Sequence, residues 1–194
     1  MNRTTATEKL KRQNTAFKSL MILHWLMAAF IFLLFLTGVF VAHFSQVGLL
    51  ARLSPFLHQS FGMLFLMLLI ARIFLLLRLL RYKYSRRSPK VTPNWLKATI
   101  LHSSLYFFML IAPLSGFFLR NFIGLDTTLL GIPLPSVFVS DDRWVELTRD
   151  SHFWSSYIFL VFIFLHVLTY WKVVWINVRR RFIDLRKASS KKES

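Results

Sequence analysis

Six histidines, no cysteine and no carboxylate inside the long apolar runs define the chemistry open to this sequence. His152 and His166 stand 14 residues apart within the run 151–171. In a helix that is roughly four turns, about 21 Å along the axis, with a mismatch of about 40°. At the ~3.5-residue repeat of a left-handed bundle the mismatch nearly vanishes. Both imidazoles therefore point the same way, one near each membrane face. The interval recurs elsewhere: Gly38 follows His24 by 14, Arg72 follows His58, and Gly116 follows His102. Gly62 follows His58 at i+4 and clears space on the same helix face. His43 lies 19 residues after His24, about 100° off that face, and reads as an interfacial polar residue.

Sorted by depth, His24, His102 and His166 share one face of the membrane, and His58 and His152 share the other. Three chemistries compete for such a set. A proton relay usually includes intramembrane Asp or Glu, and a metal transporter wants carboxylates or sulfur near its path; the spans contain neither carboxylate nor cysteine. Haem asks for paired imidazoles from facing helices, and bundle cores house such cofactors. A flat macrocycle needs the neighbouring helices thinned, which Gly38, Gly62 and Gly116 provide. Its propionates need a cation, and Arg72 sits at the inner depth, where an unpaired charge costs roughly 2.5–3.5 kcal/mol; snorkelling to the interface is the alternative. Without cysteine there is no C-x-x-C-H attachment, so haem would be held non-covalently. A bis-histidine iron has no open position and favours electron transfer. Haem at two depths would make a wire across the bilayer. Depth alone pairs His58 with His152, and leaves both His24 and His102 open as partner to His166.

The elements that must position these residues are four apolar runs, 20–42, 56–77, 99–119 and 153–176. Each is about the length that spans a bilayer core, and in lipid such runs are helices. The expectation is an all-α integral membrane four-helix bundle, up-down-up-down. Phenylalanine alone contributes 21 residues, too many large apolar side chains for a soluble domain of 194 residues to hide. The net charge of +17 is distributed by side. Five Lys and Arg precede the first span, eight lie between the second and third counting Arg72, and eight begin at Lys172. Only Arg52, Arg120, Arg143 and Arg149 fall on the other side, with Asp126, Asp141, Asp142, Glu146 and Asp150. This positive-inside pattern puts both termini in the cytoplasm and excludes nucleic acid as the reason for the charge. No cleaved signal peptide is expected, since the first span is longer than a signal h-region.

Residues 1–18 read as a basic cytoplasmic tail or short surface helix, 19–180 as the transmembrane unit and 181–194 as a second basic tail. Residues 44–55 read as a short outer loop, 78–97 as a basic cytoplasmic connection, and the end after Ala188 as disordered. The connection 120–150 is the longest; its apolar part, 129–139, suggests a packed lid, and 142–150 a short surface helix. Pro113 should kink the third helix.

An ordered set of short motifs runs through these elements: His24-Trp25, His58 with Gly62, Arg72 within Ala-Arg-Ile-Phe-Leu-Leu-Leu-Arg, His102 with Ala112-Pro113-Leu114-Ser115-Gly116, Gly131-Ile132-Pro133-Leu134-Pro135, then His152 and His166. Over about residues 17–180 the chain resembles the bacterial cytochrome b561 family of four-helix, di-haem, quinol-linked cytochromes. The resemblance implies that His24 and His166 hold an inner haem b and His58 and His152 an outer one. It leaves His102 as a neighbouring residue or quinone contact. It implies an inner-membrane protein passing single electrons between the quinone pool and a periplasmic or membrane redox partner, with superoxide as one donor it allows. A haem-binding membrane-anchor subunit of a larger dehydrogenase and a non-haem histidine-based proton or metal transporter are the alternatives. The partners expected are the lipid bilayer, quinone or quinol, a redox protein and, for the oligomer, a homodimer.

Overall fold

The computed structural model describes residues 3–44, 48–84 and 90–190. Four helices carry the chain: α1 (Arg3–His43), α2 (Gly48–Tyr84), α3 (Pro93–Phe122) and α4 (Asp142–Ser190). Each contains a stretch of 30 to 32 residues long and apolar enough to cross a membrane. The chain is a four-helix membrane bundle. Its outward faces are large and apolar, among them Phe32, Ile70, Phe74, Phe107 and Phe164, which suits a lipid solvent.

The helices outrun the apolar spans at both ends. α1 is helical from Arg3, so the stretch read as a tail or short surface helix is continuous with the first span. Residues 48–55, expected as loop, open α2, with Pro55 inside the helix. Residues 142–150 are not a separate surface helix but the first turns of α4. Hydropathy marks where lipid begins, not where backbone hydrogen bonding ends, so polar helical extensions are invisible to it. The expected disorder after Ala188 falls partly on 191–194, outside the described residues; Ser189 and Ser190 close α4.

The ends of α3 and α4 are locally encoded. Thr92 caps α3 by accepting from Trp95 N at 3.2 Å, with Pro93 at the first helical position. At the far end, Leu125 N bonds to Arg120 O and Gly124 N to Asn121 O, with Gly124 at φ +76. That is a Schellman stop, and only glycine takes its left-handed position cheaply. Asp141 opens α4 by accepting from Arg143 N at 3.1 Å, and the Arg143 guanidinium holds its carboxyl below the ordinary carboxylate range. Between α3 and α4 lies a two-stranded hairpin, β1 (Thr127–Leu129) and β2 (Ile132–Leu134). Its two-residue turn, Leu130 and Gly131, has φ of 52° and 90°, as tight hairpins require. The hairpin is docked by polar bonds: Leu130 N donates to the buried Ser60 Oγ at 3.2 Å, and Val137 N to the buried Asn121 Oδ1 at 2.8 Å. Ile132, Val137 and Val139 point outward. The connection is thus seated by these hydrogen bonds and by Phe138 against Phe118 and Phe122, with ring centroids 5.5 and 5.9 Å apart, while part of its apolar surface is turned away from the bundle.

α1 packs along α2, and α3 along α4; between these two helical pairs only α2 and α3 approach closely. Gly38 meets His58 at the hairpin end of the first pair, and Gly116 meets His152 at the hairpin end of the second, so each pair is antiparallel and the termini share the opposite end. The buried apolar core, Met27, Phe65, Leu69, Met109 and Phe159, lies between these ends. No close backbone contact joins α1 to α4 among the described residues. A slot is left between the pairs, and the histidines face across it.

Candidate haem sites

At the hairpin end, His58 from α2 and His152 from α4 face each other with ring centroids 6.0 Å apart and planes at 87°. At the terminal end, His24 from α1 and His166 from α4 stand 6.1 Å apart at 67°. An imidazole nitrogen sits about 2 Å from a metal it ligates; adding the ring radius on each side puts two trans rings about 6 Å apart. Both pairs have that spacing. Among the described residues no group of three or more His, Asp or Glu could hold a metal ion, so the donor sets are imidazole pairs.

The hairpin-end histidines are held by matching devices. His58 Nδ1 donates to Leu34 O at 3.1 Å and shares that proton with Thr37 Oγ1 at 3.1 Å. Thr37 in turn donates to Leu33 O at 2.8 Å. His152 Nδ1 donates to Ala112 O at 2.7 Å, with Ser115 Oγ at 3.4 Å. In each case the carbonyl lies four residues before a glycine and the hydroxyl one residue before it: Leu34, Thr37 and Gly38, then Ala112, Ser115 and Gly116. With the proton fixed on Nδ1, each ring offers Nε2 to a metal. The glycines are required here. A Cβ on Gly38 would stand 3.2 Å from His58 Cε1, and one on Gly116 3.0 Å from His152 Cε1 and Nδ1. Gly62 differs, since a Cβ there would meet only Leu34 Cδ2 at 3.9 Å; it lines the slot without touching a histidine. A cavity of about 670 Å³ opens between His58 and His152, lined by all three glycines and by Phe65, Met109 and Phe159. That is the size of a pocket for a large flat ligand.

The terminal-end pair is held differently. Arg72 turns into the bundle, where its Nη1 donates to His24 Nδ1 at 3.0 Å and its Nε to Tyr106 Oη at 3.1 Å. His24 therefore accepts on Nδ1, the opposite of the hairpin-end rings. To present Nε2 to a metal it must carry its proton on Nδ1, so the guanidinium must turn to another acceptor. His166 Nδ1 is buried with no hydrogen-bond partner. His102 donates from Nδ1 to Ala98 O at 2.6 Å, with its ring 5.2 Å from His166 and 5.6 Å from Tyr170. His43, on the exposed end of α1, bonds to Val39 O of its own helix and also borders the hairpin-end cavity.

The residues fit non-covalent haem: an imidazole pair at each of two levels, with glycine clearance beside the hairpin-end pair. The model of the prokaryotic cytochrome b561 family matches residues 18–183. The chain belongs to the prokaryotic cytochrome b561 family. No curated protein matches it. As a cytochrome b561 it is a multi-pass bacterial membrane protein that binds haem b and carries electrons.

Sequence reasoning missed Thr37, Tyr106 and Tyr170, and it took Ser115 only within a motif without assigning it a role. Thr37 and Ser115 carry a weak signal, a hydroxyl residue directly before a glycine, repeated in α1 and α3. Tyr170 follows His166 at i+4, its ring 5.0 Å away, and is the one residue of α4 with non-helical φ and ψ.

Proposed function

We propose that two haem b groups occupy this bundle, one held by His58 and His152 and one by His24 and His166, and that electrons pass between them along α4. The carrying observation is the pair of spacings, 6.0 and 6.1 Å, at two depths of one helix. His24 is favoured over His102 because the His102–His166 distance of 5.2 Å is short for rings trans across one metal, and His102 is tied to its own helix. Bound haem would supply a one-electron Fe(III)/Fe(II) couple. The chain's own contribution is to orient each imidazole, to keep its free nitrogen unprotonated, and to exclude water with Phe65, Met109 and Phe159. Arg72 would leave His24 for a carboxylate of the inner haem, which frees Nδ1 to carry its proton.

The charge asymmetry supports an inner-membrane orientation with both termini in the cytoplasm, so the hairpin end faces the periplasm. The protein would then exchange electrons between the quinone pool and a redox partner, with His102 and Tyr170 near the terminal-end site. A second reading, the membrane-anchor subunit of a larger dehydrogenase, is supported by the outward Ile132, Val137 and Val139 of the connection between α3 and α4, a surface that a soluble subunit could cover.

The test is a reduced-minus-oxidised spectrum with a haem-to-protein ratio. Two haems per chain are expected in the parent, and one in His58→Ala and in His152→Ala. A ratio of one in the parent, or of two in either variant, overturns the pairing. Copurification with a soluble subunit would move the reading to the anchor.

A further inference from the structure

Four side-chain polar atoms among the described residues are buried without a hydrogen-bond partner: Gln59 Nε2, Arg120 Nε, Thr127 Oγ1 and His166 Nδ1. Three of the four belong to residues lining the cavity between His58 and His152. Buried donors left unmade cost about 1–3 kcal/mol each, so their gathering at one place calls for a ligand. Arg149 lines the same cavity, one turn before His152. Arg120 lies one turn beyond Gly116, toward the hairpin, and its Nη2 donates to Asp126 O at 2.7 Å. Neither arginine forms an ion pair within 4 Å among the described residues, where the sole such pair is Arg143 with Asp141; the Asp126 carboxylate stands near Arg120 without pairing with it. No Asp or Glu lines the cavity at all. Its deep wall is apolar, at Phe65, Met109 and Phe159, and its mouth carries two fixed cations, an amide and a hydroxyl. A guanidinium cannot discharge by losing its proton, and it prefers carboxylate as a partner.

We infer that the cavity orients its haem by polarity, with both carboxylates at the mouth against Arg120 and Arg149 and the vinyl-bearing edge toward the bundle core. This rests on the proposal that haem occupies the hairpin-end site. Arg120 is the positioning residue, since its guanidinium is half-buried and its Nε is unpartnered; Gln59 and Thr127 supply uncharged donors beside it. Arg149 is more exposed and supplies the second charge. The two arginines hold the outer haem carboxylates ionised, and their charge favours the ferrous form.

The experiment is a potentiometric titration of the purified haem-loaded protein at several values between about pH 5 and pH 8, where an uncompensated carboxylate gains protons. The outer component is identified by its absence in His58→Ala. In Arg120→Leu/Arg149→Leu the outer midpoint should fall by roughly tenfold in the ferrous-to-ferric ratio, about 59 mV for one electron. It should also acquire a pH slope that the parent lacks, and the inner component should stay in place. Arg120→Lys/Arg149→Lys should restore both properties. If the Leu variant fails to retain outer haem, retention by the Lys variant supports the charge argument, and loss from both overturns it. An unchanged outer midpoint and slope in the Leu variant overturns the inference while leaving the haem reading intact. If the equilibrium midpoint holds while reduction by an anionic donor slows and loses its salt dependence, the pair serves a diffusing anion, and the carboxylate assignment falls. Protein without any porphyrin would end the underlying reading instead.

Discussion

Adding one methyl group at Gly116 should separate the stability of the bundle from its capacity for haem. A Cβ there would stand 3.0 Å from Cε1 and Nδ1 of His152 and 3.7 Å from its Nε2. Carbon contacts are best at about 3.5–4.0 Å, so the overlap is about half an ångström or more. Retreat of the ring from α3 would give up the 2.7 Å bond from Nδ1 to Ala112 O. Overpacking of this kind costs about 1–3 kcal/mol. Charged to the position of His152, and at 1.4 kcal/mol per factor of ten, it corresponds to roughly 5- to 140-fold weaker haem binding at the hairpin end. The bare helix responds in the opposite sense, since alanine is favoured over glycine in a helix interior by about 0.8–1.0 kcal/mol. Haem titration into the apoprotein, read beside its thermal unfolding, measures both. Gly116→Ala should lose outer haem while the apoprotein, where the ring is free to swing aside, loses at most about 2 kcal/mol of stability. Gly38→Ala, with its Cβ 3.2 Å from His58 Cε1, should act the same way. Gly62→Ala touches no histidine, so any loss of haem there reports a ring lying across the slot, and we expect such a loss. Two haems bound at parental affinity in Gly116→Ala would refute the reasoning.

Other perturbations follow from the same contacts. Arg72→Leu should lower the inner midpoint by roughly tenfold in the ferrous-to-ferric ratio, about 59 mV, and leave the outer one unchanged; a potentiometric titration checks it, and an unmoved inner midpoint leaves Arg72 as a structural tie to His24 and Tyr106. Thr37→Val and Ser115→Ala remove a hydroxyl from beside an imidazole Nδ1. Each should raise the outer midpoint by a few tens of millivolts, taking about 1 kcal/mol per hydrogen bond and weaker donation by the ligand. Asn121→Ala leaves Val137 N without its 2.8 Å partner, at about 1–3 kcal/mol; limited proteolysis should then cut the connection between α3 and α4 faster than in the parent, with haem content retained.

The spans, their number and the facing of His152 and His166 were legible because lipid imposes strict length and periodicity on sequence. Gly38 and Gly116 were legible as thin places, although the group each clears is a histidine ring, from α2 and α4 respectively, as well as slot space. What could not be read were features that depend on which carbonyl or ring arrives from another helix. Thr37 looks like an ordinary polar residue in an apolar run until His58 is placed against it from 21 positions away. Arg120 counted only as one of the few basic residues on its side of the membrane; its orphaned Nε depends on the hairpin that closes over it. Pro55 read as a loop residue, since proline usually breaks helices, yet α2 begins seven residues earlier. His102 stayed ambiguous by depth, and its bond to Ala98 O distinguishes it from His24 only in three dimensions.

The only break in α4 comes at Tyr170, four residues past His166. From His152 to His166 the backbone is one uninterrupted rod, so a single covalent ruler sets how far apart the two imidazole levels stand. Breathing of one helical pair against the other can change how each ring meets its counterpart, but it cannot stretch that interval. In the proposed two-haem arrangement the electron's path between levels would therefore be shielded from loosening elsewhere in the bundle. Only an insertion or deletion within 153–165 would change its length.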